Sequence, residues 1–203
     1  MQSIENKASA RIYGNQRGWV FSKIDFLDLG SDADIRKALS ELATKGTIRR
    51  VLRGIYDYPR ISKLLNSEMG PDLDQLARAL ARRSGWRIQP SENTALNILG
   101  LSTQVPAQSV YLSDGPSKTY EIGKLQLVFK KRTLKESVFK NKESELVVQA
   151  LKALGQERID EKVRQKLSKQ WSPELWRKIV RDTRTAPGWV CDAIRKITNE
   201  ANS

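Results

Sequence analysis

The stretch "KGTIRRVLRGIYDYP", Lys45–Pro59, decides how the N-terminal part of the chain folds. β-Branched and aromatic residues lie on both sides of a central glycine, Gly54, and this pattern predicts a two-stranded hairpin. The hairpin also carries a cluster of cations, which are Arg49, Arg50 and Arg53. The residues that precede the hairpin explain why three arginines would lie together on so short an element.

Helical patterns lead into the hairpin. A first helix ends at Gly14, and a short second one, "KIDFLDL", is capped by Ser22. After a Gly-Ser turn, a third helix covers residues 32–45 and begins with Ser31 or Asp32 as its cap. Its inner face is formed by apolar residues at helical spacing, Ile35, Ala38, Leu39 and Leu42. Three helices followed by a basic hairpin predict a winged helix-turn-helix.

This arrangement predicts a DNA-binding site. The recognition helix, 32–45, would lie in the major groove, and the wing, 47–58, would reach the flanking backbone or minor groove. Arginine suits the wing because its planar fork makes paired contacts with phosphate. The predicted DNA-binding residues are Ser31, Asp34, Arg36, Lys37, Ser40, Lys45, Arg49, Arg50 and Arg53. The alternatives are a solvated helix face and a winged helix that binds a protein.

A second domain is predicted for residues 67–203, after a first domain of residues 1–66. The segment between Pro59 and Pro71 reads as a linker with a helical turn. Helices and three strand-like runs, "SVYLSD", "KTYEIG" and "KLQLVFKKR", follow, and the part from about 141 to 203 is helical. The predicted fold class is therefore α+β, with a winged helix-turn-helix before a mixed α/β domain that has C-terminal helices.

Two groups of basic residues in the predicted second domain form a candidate surface for a partner or nucleic acid. One group lies on the outer face of the helix "PDLDQLARALARRSG", and the other ends the strand-like run "FKKR". The residues are Arg78, Arg82, Arg83, Lys130, Lys131 and Arg132. The alternative is an ordinary solvated face of a helix and a strand end.

The composition limits the classes of function that we expect. The chain has 203 residues, a net charge of +13, no histidine and one cysteine. Without histidine there is no Ser-His dyad and no histidine metal ligand, so we expect no metal, no cofactor and no enzymatic activity. A strongly basic chain is expected to bind a polyanion. No apolar run is long enough to span a bilayer, and the N-terminus lacks a signal core, so we expect a cytoplasmic protein without a membrane partner.

A metal-dependent nuclease is the third function considered. Pro71-Asp72, followed by Glu121 and Lys124, is similar to a nuclease pattern that needs the acid and the lysine on one face of a strand. Two residues separate Glu121 from Lys124, so in a regular strand the two side chains point to opposite faces. The pattern therefore disfavours a nuclease.

The stretches "GWVFSKIDFLDLG", "DIRKALSELATKGTIRRVLRGIYDYP" and "ALNILGLSTQVPAQSVYLSDGPSKTYEIG" together resemble the AbiEi-type antitoxins of bacterial abortive-infection systems. The resemblance covers roughly residues 1–135. It implies a DNA-binding antitoxin that represses its own operon and counters a nucleotidyltransferase-like toxin, without needing a stable complex with it. The operator would be double-stranded DNA, and a homodimer on DNA is left open. The alternative is a winged-helix transcriptional regulator without a toxin partner.

Overall fold

The computed structural model of the chain describes residues 3–102, 107–132 and 139–202. These residues form both α-helices and β-strands, which confirms the predicted α+β class. Contacts divide the chain into two compact units, Met1–Arg87 and Ile88–Ser203. Part of the run that carries the family resemblance, residues 103–106 of "ALNILGLSTQVP", lies outside the described residues.

The first unit combines helices with two small antiparallel sheets. Its helices are α1 (Ile4–Gly14), α2 (Asp32–Thr44) and α3 (Leu73–Ser84). Its strands are β1 (Val20–Ser22), β2 (Arg49–Leu52), β3 (Ile55–Asp57), β4 (Ile61–Ser62) and β5 (Ser67–Glu68). One sheet has the order β1-β3-β2, and the other is the β4–β5 pair. The hairpin predicted around Gly54 is confirmed as β2–β3, whereas β1 was not predicted because three residues are too few to show an alternation.

The core of the first unit lies between α1, α2 and the three-stranded sheet. All four apolar residues predicted for the inner face of α2 are buried. They pack with Ile12 of α1, with Phe21 of β1 and with Phe26, the last residue of the short 3-10 turn Lys23–Phe26. Tyr56 and Tyr58 of the hairpin pack against the same cluster. The hairpin is thus attached to the helices through its aromatic residues.

Helix α3 belongs to the first unit, although the sequence assigned it to the second domain. It contacts β1, and Arg82 donates to Asp25 Oδ1 at 3.0 Å and to the Val20 carbonyl at 3.1 Å. Its buried face consists of Leu76, Ala77, Ala79, Leu80 and Ala81. The compact unit therefore ends after Arg87 rather than after residue 66. Long-range packing sets this boundary, and the linker pattern between Pro59 and Pro71 does not report packing.

Residues 60–70, which the sequence predicts as a linker with a helical turn, form a two-stranded ribbon instead. Strands β4 and β5 pair antiparallel, with Ile61 opposite Glu68. The Met69 N–H donates to the Arg60 carbonyl at 2.8 Å and closes the base of the ribbon. Strands of two residues are too short to produce the alternation by which strands are recognised in a sequence.

The second unit contains a four-stranded sheet. Its strands are β6 (Ile88–Pro90), β7 (Gln108–Ser113), β8 (Lys118–Ile122) and β9 (Leu125–Lys131). The order is β6-β7-β9-β8, and β7 and β9 are parallel while the other pairs are antiparallel. Strands β7, β8 and β9 confirm the predicted strand runs, and Leu127 and Phe129 are buried on one face of β9. Strand β6 was not predicted.

Helices form the rest of the second unit. They are α4 (Glu92–Ile98), α5 (Lys142–Leu154), α6 (Glu161–Ser168), α7 (Pro173–Asp182) and α8 (Gly188–Ala201). They share one core, in which Trp176 is fully buried and donates its Nε1–H to the Ser168 carbonyl at 3.2 Å. The predicted helical C-terminal part is confirmed by α5 to α8. Across the ranges that the structure describes, no helix is long and apolar enough to cross a bilayer.

Candidate nucleic-acid interface

Arg49 is held in the first unit by an ion pair with a buried carboxylate. Asp57 is only 1% exposed. Arg49 donates from Nη2 to Asp57 Oδ2 at 2.6 Å and from Nε to Oδ1 at 3.1 Å. The two residues face each other across β2 and β3, and a paired contact of this kind fixes both groups. Arg49 was predicted to bind DNA, but its fork is already occupied by Asp57.

The same guanidinium also reaches the β4–β5 ribbon. Nη2 of Arg49 donates to the Met69 carbonyl at 2.9 Å, and Nη1 lies 3.4 Å from Glu68 Oε2. One side chain therefore joins β2, β3 and the end of β5. This position indicates that Arg49 orients the two hairpins relative to each other.

Two opposing influences act on the pKa of the Asp57 carboxyl. Burial raises the pKa above its ordinary value, and the hydrogen bonds and charge of Arg49 act against that rise. A charged carboxylate in a nearly dry position is costly unless a partner faces it. The net direction of the pKa shift is upward, so burial is the larger effect even with Arg49 in place.

Arg50 and Arg53 are the arginines of the hairpin that face solvent. Both are exposed, and neither side chain has a hydrogen-bond or ion-pair partner in the part of the chain that the structure describes. Arg53 lies at the turn, before Gly54 with its positive φ of 74°. Arg83 of α3 donates from Nη1 to the Arg53 carbonyl at 2.8 Å. Arg83 therefore holds the backbone of the turn, while the Arg53 side chain remains exposed to solvent.

The three α3 arginines predicted as a partner surface make contacts inside the first unit. Arg78 pairs with Asp74 at 2.8 Å and its side chain is only 18% exposed. Arg82 binds Asp25, and Arg83 binds the hairpin turn. These contacts indicate that α3 supports the candidate interface, whereas the sequence had placed the three arginines in another domain.

Ser31 and Asp34 form the N-terminal cap of α2. The Asp34 N–H donates to Ser31 Oγ at 3.2 Å, and the Ser31 hydroxyl donates to Asp34 Oδ2 at 2.5 Å. This reciprocal pair satisfies groups that a helix leaves open at its start. The predicted DNA contact of these two residues would therefore have to coexist with a capping role.

The predicted cations of α2 pair with carboxylates at its surface. Arg36 forms an ion pair with Asp32, Lys37 lies 4.0 Å from Glu41, and Lys45 just beyond the helix pairs with Glu5. Ser40 is exposed. Helix α2 has more carboxylates than cations, with Asp32, Asp34 and Glu41 against Arg36 and Lys37. The helix alone is therefore a weak attractor of a polyanion, and the hairpin supplies the free positive charge.

The second unit has basic surfaces of its own. Lys130, Lys131 and Arg132 are exposed at the end of β9, as the sequence predicted for a partner surface. A second set, missed in the sequence, lies on α7 opposite the buried Trp176 and Ile179. Its exposed members are Arg177, Lys178 and Arg181. Their spacing on a helix that starts at Ser172-Pro173 was the signal that could have revealed them.

The residues named for a nuclease do not form a metal cluster. Over residues 3–102, 107–132 and 139–202, no group of three or more His, Cys, Asp or Glu could hold a metal ion. Glu121 of β8 accepts a hydrogen bond from Gln126 Nε2 at 2.9 Å. Lys124 lies between β8 and β9, in the turn and not on a strand.

The chain belongs to DUF6088, a family of unknown function, whose model matches residues 7–178. The match runs from α1 into α7, so it includes most of both compact units. Comparison with the curated proteins finds no match. The family description assigns no activity.

Replacing Arg49 with alanine should lower the free energy of unfolding, because Asp57 would stay buried without its partner. We expect a loss of about 1–3 kcal/mol, the usual cost of a buried polar group left unsatisfied. Arg50→Ala is the matched control, since Arg50 is the next residue on β2 and is exposed, and it should change stability by less than about 0.5 kcal/mol. Urea denaturation of both variants measures this. Equal effects would contradict the structural role of Arg49.

The stability deficit of Arg49→Ala should depend on pH. Without Arg49 the main influence that opposes burial is lost, so the pKa of Asp57 rises further in the folded state. A folded pKa above the ordinary value of 3.8 destabilises the fold at neutral pH, and the penalty disappears as pH falls through that raised pKa. The difference between wild type and variant should therefore be largest near neutral pH and shrink towards pH 3.8. Urea titrations across this range would show it, and a constant difference would exclude Asp57 as the cause.

Proposed function

We propose that the chain binds duplex DNA through a winged helix in its first unit, represses its own operon and acts as an antitoxin. The DNA-binding part is supported by the order of α1, the 3-10 turn, α2 and the β2–β3 hairpin, which is similar to that of a winged helix, with the 3-10 turn in place of the predicted second helix. The antitoxin part rests on the resemblance to the AbiEi-type antitoxins. The toxin is a nucleotidyltransferase-like protein, as that resemblance implies.

One observation carries the DNA-binding proposal. Arg50 and Arg53 are exposed and unpaired within the described residues, on a hairpin whose shape is fixed by internal contacts. Arg49 fixes the open end of the hairpin, and Arg83 fixes its turn. Because the backbone of the hairpin is already held, binding phosphate has to order only the two side chains, so more of the contact energy remains as affinity.

Typical interaction energies indicate whether the cations of α2 can exchange their ion pairs for contacts with DNA bases. A surface ion pair such as Arg36–Asp32 or Lys37–Glu41 is worth about 0.2–1 kcal/mol. A good bidentate contact with a base contributes about 1–3 kcal/mol of discrimination. Arg36 and Lys37 can therefore leave their carboxylates for base edges at a net gain. The same exchange is unfavourable for Arg49, because it would leave Asp57 buried and unpaired.

The second unit is assigned the antitoxin role. Its exposed cations at the end of β9, Lys130, Lys131 and Arg132, and on α7 face solvent in a unit separate from the hairpin. Such surfaces suit an acidic partner or an RNA bound by that partner. Both roles then belong to one chain without sharing residues.

DNA affinity should depend on salt through the two free arginines. Each phosphate contact contributes about −0.9 to the slope of log K against log salt. We expect Arg50→Ala/Arg53→Ala to weaken binding to all duplexes and to flatten the slope by about 2. Fluorescence anisotropy of a labelled duplex from low to physiological salt measures both quantities.

The control for this titration is Lys130→Ala/Lys131→Ala, which removes the same number of charges from the other unit and should leave the slope unchanged. An equal flattening in the control would mean that binding follows total charge. A wild-type chain with no salt dependence would exclude phosphate contacts altogether.

Protection from the toxin should survive loss of the wing arginines. With the toxin expressed from an independent promoter, Arg50→Ala/Arg53→Ala should still rescue growth, while Lys130→Ala/Lys131→Ala/Arg132→Ala should rescue it less well. The reason is the proposed separation of roles between the units. The toxin used is the nucleotidyltransferase-like product of a neighbouring gene, and growth is the readout.

The opposite pattern would assign protection to the first unit and contradict this division of roles. If the wild-type chain binds DNA but rescues no growth, the antitoxin role fails. The function would then be that of a transcriptional regulator without a toxin partner.

A further inference from the structure

The end of the β4–β5 ribbon presents apolar side chains to solvent. Leu64 is 92% exposed and Leu65 is 73% exposed, and they are neighbours in the turn. Ile61 and Met69, at the base of the ribbon, are each 48% exposed. Single exposed apolar residues are ordinary, but adjacent leucines at the end of a projecting element indicate a contact surface.

The turn that carries the leucines is structured. The Leu65 N–H donates to Ser62 Oγ at 3.2 Å, and Asn66 takes a positive φ of 44° to turn the chain. The base is closed by the Met69–Arg60 hydrogen bond and held by Arg49. Hydrogen bonds within the ribbon therefore fix the turn that carries the two leucines, and Arg49 links the ribbon to hairpin β2–β3.

The charges around the ribbon favour a polyanion as the occupant. Lys63 precedes Leu64, is exposed and has no partner within the described residues. The single acid of the ribbon, Glu68, faces Arg49. Lys63 therefore gives the apolar tip a neighbouring positive charge that no carboxylate of the described residues neutralises.

We propose that the ribbon is a wedge: Leu64 and Leu65 insert between base pairs of duplex DNA, with Lys63 on the adjacent phosphate. This inference rests on the proposed DNA binding and adds a distortion of the duplex to it. Proteins that kink DNA push Leu, Ile, Met, Phe or Pro side chains into a base step from the minor groove, with cations alongside. Two adjacent leucines next to a lysine at the end of a ribbon supply both elements.

A second copy of the chain fits the ribbon less well. A stable protein–protein interface uses roughly 20–30 residues a side. The exposed apolar residues of the ribbon are four, namely Ile61, Leu64, Leu65 and Met69. A base step needs no more than one or two inserted side chains, and the size of the tip matches it.

The experiment compares two DNA probes that need no knowledge of the operator. One is a matched duplex of about 30 base pairs, and the other is the same duplex with a central two-base bulge, which is already partly unstacked. Unstacking a base step costs a few kcal/mol, so a wedge should prefer the bulged duplex by about tenfold or more. Anisotropy titrations of the full chain measure both affinities.

Three variants test which residues produce the preference. Leu64→Ala/Leu65→Ala should bind the matched duplex with the wild-type salt slope but lose the preference for the bulge. Lys63→Ala should keep the preference and flatten the salt slope by about 0.9. Ile98→Ala, which shortens an exposed aliphatic residue of α4 in the second unit, should change neither. Circular dichroism of each variant checks that it is folded.

The outcomes separate the wedge from the function on which it rests. If the wild-type chain binds both probes equally, DNA binding stands and the wedge is overturned. The wedge is also overturned if the leucine variant keeps the preference, or if that variant converts a dimer into a monomer in sedimentation without changing the preference. If the wild-type chain binds neither probe, the proposed DNA binding fails and the wedge fails with it.

Discussion

A guanidinium facing a buried carboxylate, Arg49 against Asp57, holds three pieces of the first unit in place. The carboxylate is nearly dry, and a charge in such a position costs several kcal/mol unless its partner is present. The pair therefore ties β2 to β3 with a strength that exposed ion pairs do not reach. Because the same guanidinium binds the Met69 carbonyl, the ribbon that follows is oriented by the same contact. One side chain thus links hairpin β2–β3 to the β4–β5 ribbon.

Contacts inside the molecule distinguish cations that support the fold from cations left for a partner. Arg49, Arg82 and Arg83 have carboxylates or carbonyls in their reach, while Arg50 and Arg53 have solvent. Helix α2 has more carboxylates than cations, so the positive surface in this region comes from the hairpin. Under the proposed DNA binding, long-range attraction and backbone contacts would belong to hairpin β2–β3, and discrimination between sequences would belong to α2.

Local patterns in the sequence were sufficient to predict helix α2, hairpin β2–β3 and strands β7 to β9. Each has an apolar repeat or a central glycine that its own residues reveal. The ribbon at residues 60–70 was mistaken for a linker because strands of two residues show no alternation. Helix α3 was predicted as a helix but placed in the wrong compact unit, since Arg82 reaching Asp25 is a contact across more than fifty positions. The sequence could show that arginines cluster, but not that Asp57 would occupy one of them. Which cations remain free is a property of the tertiary structure.

Strand β2 places its two adjacent arginines in different surroundings, with Arg49 against Asp57 and Arg50 in solvent. Substitution at Arg49 removes the partner of a buried carboxylate, whereas substitution at Arg50 removes no contact within the described residues. Related chains can therefore exchange the outward residue during evolution, and change the charge of this surface, without first acquiring compensating mutations elsewhere. The inward residue has no such freedom, because a change there must be matched at Asp57. Comparing how fast these two adjacent codons diverge among relatives would show the constraint directly.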